Sequence, residues 1–177
     1  LCIEIPALVS THEDLCSLGR GHGLRYHHVP VTTDNKADAE QQLLNIIKDT
    51  QADLIVLARY MQIFSDDLCT QLAGRAINIH HSFLPGFKGA NPHQQAHDRG
   101  VKLIGAPAHY VTSDLDEGPI IEQVVERVDH THDVDGMTAI GRDVEAITLA
   151  RAVQYPIAHP VFLNGKRTVV FTIARAP

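Results

Sequence analysis

Lys36–Thr50 places apolar residues at Ala39, Leu43, Ile46 and Ile47. That stripe has the 3.6-residue period of an amphipathic helix. Directly after it comes Asp53-Leu-Ile-Val-Leu-Ala58, an apolar run with no polar alternation. Such a run suits a parallel strand buried on both faces. A helix feeding a strand of this kind commits the chain to βαβ construction, and the remaining elements must fit around it.

They do so by continuing the alternation. Ile3–Val9 reads as a strand, and Ser10 or Thr11 can cap a short helix that Gly19 stops. Gly19-Arg-Gly21-His-Gly23 matches neither phosphate-loop pattern and reads as a loop. Leu24–Val31 is a second strand. Ser65 opens a helix to about Gly74, with Asp66 and Asp67 at its positive end. Ala76–His80 is the next strand and is followed by a Pro/Gly loop, Phe83–Gly89. Asn91 as N-cap and Pro92 in the first turn start a helix that stops at Gly100. Lys102–Thr112 and Ile120–Val128 are joined closely enough to be antiparallel neighbours. A long helix follows from Val134 to Gln154, ended by Pro156, and then a hairpin over Val161–Phe171 turning at Asn164-Gly165. The expected fold is one α/β domain with a mixed, mostly parallel sheet. In such sheets the ligand crevice lies outside the carboxyl ends of the strands. That directs attention to Ala58–Phe64, Asn78–Gly89 and Tyr110–Gly118.

Composition narrows the function. The net charge of −6 and an aromatic content of 5% argue against a nucleic-acid surface. Cys2, Cys16 and Cys69 are widely spaced and form neither a metal motif nor a disulfide framework, which fits a reducing cytoplasmic setting. No apolar run is long enough for a transmembrane helix, so no membrane partner is expected.

Three stretches carry chemistry. Asn78 and His80 are two apart at a strand end and so share a face. An amide donor can stabilise a developing oxyanion, and an imidazole can move a proton near neutral pH. The plainer alternative is a strand end with surface histidines. Asp114-Leu-Asp116-Glu117-Gly118 is an acidic loop that either orients His80 or is a solvated turn. His93 and His97 share a helix face, yet no Glu lies between them as in HExxH and no third ligand is evident. No metal is therefore expected.

Ile77-Asn-Ile-His-His-Ser-Phe-Leu-Pro85 resembles the signature of the folate-dependent formyltransferase family, and Leu115-Asp-Glu-Gly-Pro119 resembles that family's second signature. The resemblance implies a Rossmann-like formyltransferase-type domain over residues 1–177, with Asn78, His80 and Asp116 as its catalytic Asn, His and Asp. The segment Ala58–Phe64 resembles the stretch that holds the folate pterin. It implies folate contacts at Met61, Gln62, Ile63 and Phe64, and across the cleft at Val111, Ser113 and Asp114. Gln62 stands where the family often has Arg. His81 stands where transferases carry Pro and would either stand beside His80 or face solvent, and His109 would either support the catalytic groups from behind or be a packed core histidine. His81 and the stretches Ala108–Val111, Val128–Thr131 and Gly141–Glu145 resemble the family's hydrolytic branch. That branch releases formate from 10-formyltetrahydrofolate with no further cofactor, supplying purine synthesis and balancing one-carbon pools. A transferase acting on glycinamide ribonucleotide or methionyl-tRNA is the alternative, and a non-catalytic folate-binding module is another. The family's first strand and the branch's amino-terminal ACT-type domain are expected to be missing from the sequence. Sheet edges left without that strand would be covered in a homo-oligomer.

Overall fold

The computed structural model describes residues 3–80, 91–114, 117–158 and 161–171. The chain divides into two compact units, Leu1–Asp53 and Leu54–Pro177.

In the first unit, β1 (Leu8–Ser10) pairs in parallel with β2 (Tyr26–His28) across α1 (Cys16–Gly21), and α2 (Lys36–Thr50) follows. The long helix has the bounds its stripe predicts. The short one does not, because Gly19 lies inside α1 rather than ending it. A Cβ on Gly19 would stand 3.1 Å from Leu8 Cδ2 and 3.2 Å from Tyr26 Cδ2, so the glycine lets the helix approach the strands. The stop is Gly23, at φ +73°. Gly23 N–H donates to Arg20 O at 3.0 Å and Leu24 N–H to Gly19 O at 3.0 Å, which is the Schellman arrangement. The 19–23 stretch is therefore a helix with its cap, not a loop. Neither Ser10 nor Thr11 caps α1; its N-cap is Leu15, without a side-chain bond.

The second unit contains a four-stranded sheet in the order β3 (Ile55–Ala58), β4 (Ala76–Ile79), β5 (Leu103–Tyr110), β6 (Ile120–Arg127). β3 and β4 run parallel, and β5 and β6 are antiparallel to their neighbours. The architecture is α/β with a mixed sheet. Between β3 and β4 lies α3 (Asp66–Gln71), where Ser65 accepts the Leu68 N–H at 3.2 Å, the cap its residue type predicts. α4 (Pro92–Asp98) ends at Gly100, at φ +59°, as expected. Asn91 is its N-cap, but at φ +56° rather than in the extended conformation of a capping residue, and it makes no side-chain cap bond.

α5 (Val134–Ala158) runs through Pro156 instead of ending before it. Pro156 falls in the last turn, where the missing N–H forfeits a single bond. The helix is held upstream by the buried Met137, Gly141, Val144, Thr148 and Ala152. It packs chiefly on β5 and β6, and less on β4. The core contains Ile77, Ile79, Ala106, Ala108, Tyr110, Ile121, Val144 and Ala152. Tyr155 donates from its hydroxyl to Glu122 at 3.0 Å, tying helix to sheet. β3 lies beyond this cover, so Val56 is 41% exposed rather than buried on both faces.

The hairpin of β7 (Val161–Asn164) and β8 (Arg167–Val170) pairs Asn164 with Arg167, so its turn is Gly165-Lys166, one residue later than expected. Gly165 has φ +60°, and a glycine first in a two-residue turn is the type II′ requirement. No helix among the described residues is long and apolar enough to cross a membrane.

Candidate active site

β4 alternates its two faces. Ile77 and Ile79 are buried in the core with residues of α5, and their partners across the ladder are Tyr110 and Ala108. Asn78 lies between them and therefore faces the other side. Its register partners are Leu57 on β3 and His109 on β5, so one lateral row reads Leu57, Asn78, His109. His80 comes just past the strand, and its backbone N–H donates to Pro107 O at 3.0 Å. That bond carries the pairing one residue past β4 and fixes where the His80 side chain begins.

The row opens into a cleft of about 210 Å³. Its walls include Met61, Gln62, Ile63 and Phe64 from the loop after β3, Asn78 on β4 with His80 just past it, and His109 on β5 with Val111 and Asp114 after it. These come from the three strand ends that the sequence singles out. Ser113 is exposed and is not among the lining residues. His81 and Asp116 lie outside the described residues. Arg59, Tyr60 and Thr112 also line the cleft, though sequence reasoning did not select them as ligand contacts. Their signal was position alone, in the same loops as the selected residues.

The β3 loop has its own constraints. Arg59 adopts φ +54°, a left-handed conformation that costs an ordinary residue about 1–2 kcal/mol. Its guanidinium reaches Glu145 of α5 at 3.5 Å. Phe64 is buried, and its ring centroid lies 5.2 Å from that of Tyr60. Met61 is 75% exposed, an apolar side chain standing at the cleft wall.

The opposite wall is tighter. His109 is 3% exposed, with Nδ1 2.9 Å from Tyr110 O. A carbonyl oxygen only accepts, so Nδ1 carries a proton. The register between β5 and β6 slips beside His109, with Ile121 as the extra residue of a β-bulge. Bulges of this kind re-aim neighbouring side chains. Gly118 closes the loop back onto β5. A Cβ there would lie 1.7 Å from Tyr110 O and 3.0 Å from His109 Nδ1. Burial raises the pKa of the Tyr110 hydroxyl, which keeps the phenol neutral.

The paired histidines of α4 do not act together. His93 packs over Gly141 of α5, where a Cβ would approach its Nε2 to 2.2 Å, and His97 is exposed beside Asp98. Among the described residues no three His, Cys, Asp or Glu side chains gather as a metal site would require.

Chemically, the cleft places an amide and an imidazole at one strand end, between a largely apolar loop and an acidic one. The chain is similar to proteins of known name and structure. A formyltetrahydrofolate deformylase of Corynebacterium sp. is 53% identical over 96% of this chain and 59% of its own length. The crystal structure of a formyltetrahydrofolate deformylase from Burkholderia mallei superposes with a TM-score of 0.91 at 60% identity, covering 96% of this chain and 60% of that one. The phosphoribosylglycinamide formyltransferase of Coxiella burnetii is 27% identical with a TM-score of 0.87, covering 96% of this chain and 82% of that one. The chain thus spans about three fifths of the length of the deformylases it matches. Residues 3–153 match the family model described as formyl transferase, and the chain belongs to that family.

Proposed function

We propose that this protein hydrolyses 10-formyltetrahydrofolate to formate and tetrahydrofolate, with water as the formyl acceptor. The observation that carries the reading is the joint presence of Asn78 and His80 in one cleft with the Met61–Phe64 loop and the end of β5. The similarity to deformylases, at 53–60% identity in two cases, supports water as the acceptor over the amine of a transferase that is 27% identical.

In this reading the pterin lies against the loop after β3, and the formyl carbon stands between Asn78 and His80. Water adds to the formyl carbon, and His80 accepts its proton. The carbonyl oxygen becomes an oxyanion that the Asn78 amide N–H stabilises, an effect of about 2.7–4 kcal/mol for one such donor. The C–N bond to the folate nitrogen then breaks as that nitrogen takes a proton back from His80. Asp116, by resemblance, orients His80. The chain supplies every group these steps use, so no further cofactor enters. Formate leaves for purine synthesis, in a cytoplasmic setting. A homo-oligomer belongs to the same reading, supported by exposed apolar side chains on the β7–β8 hairpin such as Phe162 and Leu163; sedimentation tests it.

The decisive experiment offers the full-length protein 10-formyltetrahydrofolate with and without glycinamide ribonucleotide, and measures formate and formylated amine. Formate release that needs no amine is expected. Formylated amine as the main product, with formate at background, overturns the hydrolytic reading and leaves the folate cleft standing.

A further inference from the structure

We propose that Arg59 and Glu145 are positioning residues whose ion pair sets the backbone of the cleft wall after β3; the proposal rests on that wall being the folate-binding one. Ala58 ends β3, and Arg59 is the first residue beyond it. From Tyr60 to Phe64 every residue lines the cleft, where a continued strand would send alternate side chains to the other face. The change of course is made at Arg59, which has φ +54°. Arginine has no intrinsic preference for this left-handed conformation. Among the described residues, Gln51 and Asn91 are the other non-glycines at positive φ, and both cap helix ends, of α2 and α4. Arg59 caps nothing, so its conformation must be imposed by what surrounds it.

Glu145 is placed to impose it. Arg59 Nη2 donates to Glu145 Oε2 at 3.5 Å, across 86 residues of sequence. The two side chains are unequal: Arg59 is 64% exposed and Glu145 only 12%. The guanidinium has water within reach, whereas a carboxylate withdrawn from water calls for a cation. Glu145 is also the member held in place, because Val144 beside it on α5 is buried in the core with Ile77 and Ile79. The helix therefore fixes the carboxylate, the carboxylate draws in the guanidinium, and the Arg59 backbone follows. The far end of the loop is anchored separately, by the buried Phe64 and by the Ser65 cap of α3. Met61, Gln62 and Ile63 are thus hung between two fixed points, one of them set from α5.

Glycine separates the pair from the conformation it supports, and the full-length protein is the one to test. Formate release gives kcat and KM, and fluorescence titration gives Kd for a folate analogue. Arg59→Ala removes the pair and keeps the strained backbone. It should raise KM and Kd about three- to fivefold with kcat little changed, the size of effect an exposed ion pair allows. Arg59→Gly removes the same pair, yet glycine takes the left-handed conformation freely, so it should recover more than half of that loss. Arg59→Lys keeps the charge and should fall between Arg59→Ala and wild type. Glu145→Gln should raise KM about threefold alone and less than about 1.5-fold in the Arg59→Gly background, a comparison that does not depend on Arg59→Ala folding. An Arg59→Gly as impaired as Arg59→Ala, a Glu145→Gln effect equal in both backgrounds, or a loss confined to kcat overturns the positioning role and leaves the hydrolytic reading standing. A wild-type protein that binds no folate analogue overturns both.

Discussion

Replacing Gly118 by alanine places a methyl carbon where the structure has a carbonyl oxygen. The added Cβ would lie 1.7 Å from Tyr110 O, 2.9 Å from its carbonyl carbon and 3.0 Å from His109 Nδ1. Real Cβ contacts essentially never fall below 3.0 Å, so the loop and β5 must part by about 1.3 Å. The obstacle is main chain, and no rotamer change relieves it. The Tyr110 N–H to Pro119 O bond, 3.0 Å long, spans the same point and resists the separation. Overpacking of this kind costs about 1–3 kcal/mol. For a chain of this size each kcal/mol lowers Tm by about 2–4 °C, so a fall of roughly 2–12 °C is expected by calorimetry. The functional effect should be larger. The displaced loop begins at the cleft wall, with Val111 and Asp114 on it, and a displacement of about 1 Å in a positioned group costs on the order of 10²-fold in rate. Formate release by Gly118→Ala should therefore fall about a hundredfold with near-native circular dichroism. A variant within about twofold of wild type in kcat, with unchanged Tm, would show that the loop yields freely and that its closeness to β5 is irrelevant to the site.

Asn78→Ala should lower turnover by about 10²–10³-fold with little change in binding of a folate analogue; near-normal turnover would make Asn78 a structural residue. Activity should survive exhaustive chelation, because the described His, Cys, Asp and Glu residues form no three-ligand cluster; loss on chelation with recovery on zinc would refute this. Gly141→Ala should cost about 1–3 kcal/mol in denaturant unfolding by pressing on His93, and adding His93→Ala should restore much of it; strictly additive losses would refute the contact. Asp129 has its pKa lowered from 3.8 to about 2, first by the Thr131 hydroxyl, then by the Thr131 N–H and by His132. A carboxylate depressed on folding contributes stability that is present above its ordinary pKa and lost as pH falls from about 4 toward 2. Asp129→Asn should flatten acid unfolding in that window, and an unchanged acid limb would count against it.

Much of the site was legible because strand ends are conspicuous when polar residues interrupt apolar runs. Asn78 and His80 stand out against Ile77 and Ile79, and the structure opens a cleft where they sit. The bounds of α2 were equally legible from its stripe. Glycines were harder, since the same residue serves turns and close packing. Gly19 reads as a stop and acts as a packing surface for Leu8 and Tyr26, while Gly23 supplies the stop. Proline was over-read at Pro156, because its penalty depends on how much helix follows, and little does. The hairpin turn slipped by one residue, since Asn164-Gly165 and Gly165-Lys166 both place glycine in a two-residue turn and only the pairing register separates them. Edge exposure of Val56 was invisible locally, because it depends on how far α5 extends across the sheet.

The site's rigidity comes from its reverse side. Two cleft residues on the sheet are flanked in sequence by residues locked into the core: Asn78 by Ile77 and Ile79, His109 by Ala108 and Tyr110. With alternating faces, fixing the core-facing positions fixes the cleft-facing ones between them. A β4 or β5 backbone that shifted to accommodate substrate would have to drag Ile77, Ile79, Ala108 and Tyr110 through a packed layer against α5. Adjustment to a bound folate is therefore expected from the side with few such anchors. In the loop after β3 that side is its middle: Arg59 is held to Glu145 of α5 and Phe64 is buried, while Met61 and Ile63 between them are exposed. The cleft thus has Asn78 and His109 on anchored strands, with the exposed apolar side chains of Met61 and Ile63 on another wall. In the proposed hydrolysis the first would hold the reacting atoms to within the fraction of an ångström that rate demands, and the second would take the ring system.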